Sequence, residues 1–193
     1  MGKIVIAVGI RGVGKSTIME KVVGKTPGVK VVTYSDLMLE ICKKKGMANN
    51  RDDLRKIPNT EYTKIREEVW HEIGAMKDNI IVDTHAFVEH TGRYIPGLPT
   101  PYVHKLKGLC GLFYVDADND TIRTRSAKDH TRIREGKTDI ELNNYRYANV
   151  AALAYHSTAL NIPFYVIFNE DGKLDQAVEI FSNHLKDAFG EKQ

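Results

Sequence analysis

A glycine-rich segment near the N-terminus carries the residues with the clearest chemical use. Residues 9–17 read Gly-Ile-Arg-Gly-Val-Gly-Lys-Ser-Thr and fit the pattern G-x-x-x-x-G-K-[ST] of a phosphate-binding loop. Glycines let the backbone wrap closely around phosphate, and a following helix N-terminus supplies N–H donors. Lys15 would bridge the β- and γ-phosphates, and Ser16 would bind Mg²⁺. The segment predicts a nucleoside-triphosphate site formed by Gly9, Ile10, Arg11, Gly12, Val13, Gly14, Lys15, Ser16 and Thr17.

A carboxylate follows the third apolar run of the chain. Asp83 ends Ile80-Ile81-Val82 and would lie at the C-terminal edge of a parallel strand, where open α/β sheets bind ligands. This position suits an acid that holds Mg²⁺ directly or through water near Ser16. An aspartate that only caps the next turn is the alternative. His85 could touch substrate, but no acid–His–nucleophile pattern supports a catalytic base.

A basic stretch at 123–137 contains five cations within twelve positions: Arg123, Arg125, Lys128, Arg132 and Arg134. A solvated helix face is the ordinary interpretation. A phosphoryl-transfer site needs such guanidinium groups to neutralise charge, and Gly136 favours a movable flap. Arg146 follows within a helix, where it would be unusual on a packed face, so we expect it to point back at the phosphates.

Two further segments could form an acceptor pocket. The run Arg51–Lys56, which follows Ser35-Asp36-Leu37-Met38, lies between the second and third predicted strands, where an ordinary surface helix is equally consistent with its composition. The segment Thr84–Thr100 is too long for a simple strand-to-helix turn and is rich in glycine and proline. We expect it to be a binding loop.

Short apolar runs alternate with helical periodicity along the chain. The predicted strands are Lys3–Val8, Val29–Thr33, Asn79–Asp83, Leu109–Val115 and Pro163–Phe168. The predicted helices are Lys15–Val23, Ser35–Lys45 with Ser35 as N-cap and Gly46 as terminator, Thr60–Met76, Asp139–Leu160 and Leu174–Phe189. Nearly continuous hydrophobicity indicates strands covered on both faces. The fold class is therefore α/β, a single doubly wound five-stranded parallel sheet.

The length and composition of the chain are typical of a single domain. The chain has 193 residues, 42% apolar and 27% charged, with a formal net charge of +3, too small for a general polyanion binder. Cys42 and Cys110 form no C-x-x-C pair, which argues against a zinc ribbon or a disulfide scaffold and favours a reducing setting. No run approaches the about 20 apolar residues of a membrane span. We expect a cytoplasmic protein that binds neither nucleic acid nor membrane.

The motifs favour a small-molecule kinase among nucleotide-binding proteins. Guanine-specific switches normally carry N-K-x-D after a strand, whereas residues 168–171 read Phe-Asn-Glu-Asp and lack the lysine. A mechanical ATPase would need a larger chain with a partner-coupling region. The extra residues here lie instead in the arginine-rich stretch and on the acceptor side.

Several segments, in chain order, resemble the archaeal-type adenylate kinases. They are the phosphate-binding loop 9–17, Tyr34–Met38, Arg51–Lys56, Asp83-Thr84-His85-Ala86, Tyr94-Ile95-Pro96-Gly97-Leu98-Pro99 and Arg146-Tyr147-Ala148. The resemblance implies a P-loop NTPase fold and a single kinase domain over 1–193, with an acceptor-side helical insertion at 34–78 and a short lid at 124–138. It also implies reversible phosphoryl transfer between Mg²⁺-bound ATP and AMP to give two ADP, and often a homotrimer.

The same resemblance implies roles for individual residues. Lys15 would bind the transferred phosphoryl group, and Arg125, Arg132, Arg134 and Arg146 would surround the phosphates. Arg55 would bind the AMP phosphate, with Ser35, His85 and Gly97 near the acceptor nucleotide. Arg11 stands where the family more often has proline, and we expect its side chain to face solvent. Two alternatives stay open: a kinase of another nucleoside monophosphate, and an ATPase that acts with a ribonucleoprotein partner.

Overall fold

The computed structural model describes residues 2–51, 53–90, 93–128 and 137–190, with the backbone alone at 55, 89 and 90. The strands in these ranges are β1 (Ile4–Val8), β2 (Val29–Thr33), β3 (Asn79–Asp83), β4 (Phe87–His90), β5 (Arg93–Pro96), β6 (Leu109–Asp116) and β7 (Phe164–Phe168). The α-helices are α1 (Lys15–Lys25), α2 (Tyr34–Lys44), α3 (Asn59–Ala75), α4 (Thr100–Val103), α5 (Asn119–Lys128), α6 (Asp139–Leu160) and α7 (Leu174–Ala188), and a short 3-10 helix covers Asp53–Lys56.

Five of these strands form one parallel sheet in the order β2-β3-β1-β6-β7. Side chains alternate across β1, so Ile4, Ile6 and Val8 enter one apolar core while Val5 and Ala7 enter the other. Buried residues of α2 and α3 join the first core, and those of α1, α5 and α7 join the second, while α6 contributes Leu153 to the first and Leu142 to the second. Helices therefore cover both faces, which confirms the predicted doubly wound five-stranded sheet.

The start of α2 differs from the prediction. The helix begins at Tyr34, and Thr33 is its N-cap, with no hydrogen bond from its side chain. Ser35 lies inside the first turn, because the extended backbone of β2 passes directly into the helix at Thr33. The predicted terminator is confirmed: Gly46 follows the C-cap with φ of 68°, a conformation that glycine adopts without a steric penalty.

The segment Thr84–Thr100 contains an antiparallel hairpin, so our expectation of a loop was wrong there. Phe87 pairs with Pro96 and Val88 with Ile95. Glycine and proline indicated a loop, but the β-branched and aromatic residues between them pair across two short strands. The hairpin packs on α6, where Tyr94 and Tyr145 stack with centroids 5.7 Å apart and the Tyr145 hydroxyl donates to the carbonyl of Phe87.

The two predicted subregions differ in how fully they are described. The range 34–78 holds α2, the short 3-10 helix and α3, with Trp70 and Ile73 buried in the first core. The range 124–138 holds the last turn of α5 and the Thr138 cap of α6, while Arg132 and Arg134 lie outside the described residues. No helix in the described part of the chain is long and apolar enough to cross a membrane.

Two histidines connect α6 to the end of this hairpin segment. Nε2 of His156 lies 3.1 Å from the carbonyl of Leu98, and its Nδ1 lies 3.0 Å from Nε2 of His104. A carbonyl only accepts hydrogen bonds, so His156 carries its proton on Nε2 and accepts from His104 at Nδ1. Burial, and then His104, lower the pKa of His156. Protonation of His156 would remove the contact between the two rings.

We expect acid to destabilise the fold partly through this histidine. Below the unfolded pKa of about 6.5, the unfolded chain binds a proton that buried His156 resists, so stability falls as pH decreases. His156→Gln should flatten the fall in Tm between about pH 7.5 and pH 5.5. His71→Gln, at an exposed histidine of α3, is the matched control and should keep the wild-type slope. Equal slopes for wild type and His156→Gln would contradict this role.

Candidate active site

The phosphate-binding loop connects β1 to α1 at the C-terminal edge of the sheet. Gly12 and Gly14 adopt positive φ angles of 92° and 82°. Gly14 is the N-cap of α1, and among the described residues no side-chain cap bonds to the helix, so its first N–H groups can meet an anion. The positive end of the helix dipole adds to this preference. The segment therefore has the backbone geometry that binds phosphate.

Lys15 is the first residue of α1, and its side chain is buried. The ammonium forms an ion pair with Asp83 at the end of β3 and donates to the carbonyl of Thr84 at 3.2 Å. Burial alone would lower the pKa of Lys15 to about 7, whereas the adjacent carboxylate favours the charged form. An incoming phosphate would act in the same direction as the carboxylate. The structure thus brings together the two residues that the sequence singled out from distant segments.

The donors around the loop fit Mg²⁺ held mainly by a nucleotide. Ser16 is exposed beside Lys15, and the side chain of Asp83 is 13% exposed. Within the described ranges, no group of three or more His, Cys, Asp and Glu side chains could hold a metal ion by itself. Mg²⁺ commonly uses one or two protein oxygens together with phosphates and water. A hydroxyl and a carboxylate at the phosphate-binding loop match that pattern.

His85 lies against the beginning of the loop. Its Nδ1 is 3.3 Å from the carbonyl of Gly9, so Nδ1 carries the proton in this contact. Burial, and then the charge of Lys15, lower the pKa of His85 to about 4, which keeps the ring neutral near pH 7. Gly97 lies close by, and a Cβ there would overlap the carbonyl of His85. The chain that leaves the hairpin therefore packs against the backbone of His85 at Gly97, where only glycine fits.

The guanidinium groups of Arg125 and Arg146 both have protein partners. Arg125 donates to the carbonyls of Val13, Asn169 and Glu170 at 3.0–3.4 Å, behind the phosphate-binding loop. Arg146 pairs with Asp116 at 2.6 Å and donates to the carbonyl of Ala117 at 2.9 Å. Both arginines thus lie at the sheet edge that carries the loop. The guanidinium of Arg146 lies at the end of β6, between Asp116 and Ala117, and lines an open cavity there.

The other predicted positions are less constrained. Arg11 is exposed, as expected, and Ser35 is half-buried in the first turn of α2. Arg55 lies in the short 3-10 helix, and only its backbone is described. Cys42 is buried, whereas Cys110 is half-buried and donates to the carbonyl of Ile4 at 3.3 Å.

One residue near the loop was missed by the sequence analysis. Asn169 is buried after β7, and its Nδ2 donates to the carbonyl of Val13 at 2.7 Å. In the sequence it stood only in the Phe-Asn-Glu-Asp run that lacks a lysine. An asparagine at the end of an apolar strand was the available signal, but its partner lies 156 positions away.

Known proteins resemble this chain over most of its length. A family model described as an AAA domain matches residues 8–143. The adenylate kinase of Pyrobaculum aerophilum is 42% identical over 160 residues, covering 80% of this chain and 81% of that protein. The adenylate kinase of Methanocaldococcus jannaschii is 33% identical over 190 residues, covering 95% and 98%.

A solved structure with low sequence identity has the same fold. Shikimate kinase from Bacteroides thetaiotaomicron superposes with a TM-score of 0.58 at 12% identity, covering 95% of this chain and 98% of that one. At that identity the likeness concerns the fold alone. The sequence relatives are closer, and with the buried lysine of the phosphate-binding loop they place the chain: it belongs to the adenylate kinase family that these archaeal proteins represent.

Proposed function

We propose that the protein catalyses reversible transfer of the γ-phosphoryl group from ATP to AMP, which yields two ADP. The observation that carries this proposal is the buried ammonium of Lys15 at a helix N-terminus whose N-cap is Gly14, in a chain that belongs to the adenylate kinase family. A buried cation next to free N–H groups suits a phosphate chain with several negative charges.

The reaction requires alignment more than proton transfer. The AMP phosphate oxygen is already anionic and is the nucleophile, so no protein base has to activate it. His85 fits this scheme, because a ring with a pKa of about 4 stays neutral near pH 7 and donates to the carbonyl of Gly9. The protein lowers the barrier by holding the two nucleotides in line and by stabilising charge on the moving phosphoryl group.

The ATP side of the proposed site is formed by residues 9–17. Backbone N–H groups of the loop bind the phosphates, and Lys15 contacts the transferred group. Ser16 and Asp83 would hold Mg²⁺, partly through water, which would neutralise phosphate charge. Arg125 and Arg146 lie at the same edge of the sheet. We assign them to charge stabilisation around the phosphates.

The acceptor side of the proposed site lies across the edge formed by β3 and the hairpin. We assign the range 34–78 to AMP binding, with Arg55 on its phosphate and Ser35, His85 and Gly97 nearby. The range 124–138 would be the lid, and Arg132 and Arg134 would enter the site when it closes. Closure would exclude water, which would otherwise hydrolyse ATP.

Location and assembly remain predictions of the sequence and of the family resemblance. We propose a cytoplasmic enzyme whose partners are ATP, ADP and AMP. A homotrimer and the absence of nucleic-acid and membrane partners belong to the same proposal.

The activity is tested by following nucleotide products with Mg²⁺, ATP and one candidate acceptor at a time. AMP should give two ADP per event, and ADP alone should regenerate ATP and AMP. CMP, UMP, GMP and a sample without acceptor are the comparisons. Transfer to another monophosphate would change the assigned acceptor, and acceptor-independent release of phosphate would favour an ATPase with a partner protein.

Loss of the Lys15 ammonium should stop turnover while the fold survives. Lys15→Met keeps most of the side-chain stem and should lower kcat by about 10³-fold or more, because a preorganised charge at the moving phosphoryl group is lost. Lys21→Met is the matched control, since Lys21 lies on the same helix in an exposed ion pair with Asp175 at 3.2 Å. It should leave kcat within about twofold. Near-normal kcat in folded Lys15→Met would contradict the role.

Removal of the predicted AMP-phosphate contact should affect one substrate only. Arg55→Ala should raise the KM for AMP by about tenfold or more, since charge-assisted hydrogen bonds to phosphate are strong, and should leave the KM for ATP nearly unchanged. Arg51→Ala is the control, because Arg51 lies nearby and pairs with Asp36 on the surface. A parallel rise of both KM values in Arg55→Ala would contradict the assignment.

A further inference from the structure

Asn169 connects the end of the sheet to the back of the phosphate-binding loop. The residue is 2% exposed and follows the last residue of β7. Its backbone N–H donates to the carbonyl of Asp116 at 2.8 Å, which extends the pairing of β6 and β7. Its side-chain Nδ2 donates to the carbonyl of Val13 at 2.7 Å. A buried amide on the sheet therefore contacts the loop peptide that precedes Gly14.

Arg125 gives the same carbonyl a second donor. Its Nη1 lies 3.3 Å from the backbone carbonyl oxygen of Val13 and 3.0 Å from the backbone carbonyl oxygen of Asn169. A carbonyl oxygen has two lone pairs, so these two donors satisfy the Val13 oxygen completely. The guanidinium, which belongs to α5, therefore contacts both the loop and the backbone of Asn169. The orientation of the Val13–Gly14 peptide is thus fixed by two groups.

Peptide geometry carries this constraint to the opposite side of the loop. The described peptide bonds are trans, and in a planar trans peptide the C=O and the following N–H point in opposite directions. Because the Val13 carbonyl faces Asn169, the N–H of Gly14, the N-cap of α1, faces away from Asn169. A Cβ on Gly14 would overlap Nδ2 of Asn169, so glycine permits this close approach.

We propose that Asn169 is a positioning residue for ATP, acting through the Val13–Gly14 peptide without touching the nucleotide. The inference rests on the proposed function for the identity of the ligand. Asn169 contacts the phosphate-binding loop, and among the described residues its hydrogen bonds do not reach the predicted acceptor segment. Its loss should weaken ATP binding and leave AMP binding intact.

Two substitutions separate this role from a simple structural one. Asn169→Asp keeps the shape but replaces the donor by an oxygen that repels the Val13 carbonyl. Asn169→Leu keeps a similar volume and removes the donor together with Oδ1, a buried atom that has no hydrogen-bond partner among the described residues. Asn149→Leu is the matched control, because Asn149 is also buried and donates from Nδ2 to a backbone carbonyl, that of Tyr145, at 2.7 Å.

The experiment measures dissociation constants for ATP and for AMP by titration calorimetry, together with Tm. Both Asn169 variants should bind ATP about tenfold more weakly and AMP within about twofold of wild type, since each removes one of the two donors that orient the Val13–Gly14 peptide. Asn149→Leu should bind both nucleotides normally, whatever its Tm. Unchanged ATP affinity in folded Asn169→Leu would overturn the proposal. An equal loss of affinity for ATP and for AMP that follows the decrease in Tm would also overturn it. Failure of the wild-type protein to bind ATP would instead overturn the proposed function, and the positioning role with it.

Discussion

The buried ammonium of Lys15 sets the main constraint on this molecule. A charge removed from water costs several kcal/mol unless partners replace the water. Asp83 and the carbonyl of Thr84 are those partners; Asp83 is the last residue of β3, and Thr84 follows it. They reach Lys15 because β1 and β3 are neighbours in register, with Ala7 opposite Asp83 and the N–H of Thr84 donating to the carbonyl of Ala7 at 3.1 Å. The strand order β2-β3-β1-β6-β7 is therefore a condition for the site.

The other side of the loop depends on the opposite half of the sheet. The carbonyl of Val13 is satisfied by Asn169 after β7 and by Arg125 of α5. The two halves of the sheet thus orient different parts of one loop. The end of β3 orients the Lys15 side chain, and the residue after β7 orients the peptide backbone. The N-cap of α1 is Gly14, and in the described part of the chain no side chain caps the helix, so its first N–H groups can bind phosphate without giving up a cap. A rigid loop of this kind binds an anion without reorganising.

The sequence predicted what depends on local pattern. Apolar runs with turn residues at their ends located five parallel strands within a few residues, and the spacing of Gly9–Thr17 identified the loop because the motif itself is local. The sequence also predicted that Asp83 lies near the loop, since strand ends of parallel sheets meet at one edge, but it did not predict the ion pair with Lys15. The hairpin of Phe87–Pro96 was missed because its glycine and proline residues are equally typical of loops. Asn169 was missed because a contact across 156 residues leaves no spacing signal.

The proposed function requires one site that holds two adenine nucleotides in line around Lys15. A compound with two adenosines joined by five phosphates would occupy both halves of such a site at once, and it is tested by inhibition kinetics with each substrate varied in turn. Inhibition should be competitive against ATP and also against AMP, and the inhibitor should bind much more tightly than either substrate. Competition against ATP alone, with an inhibition that increasing AMP does not relieve, would contradict a site that holds both nucleotides.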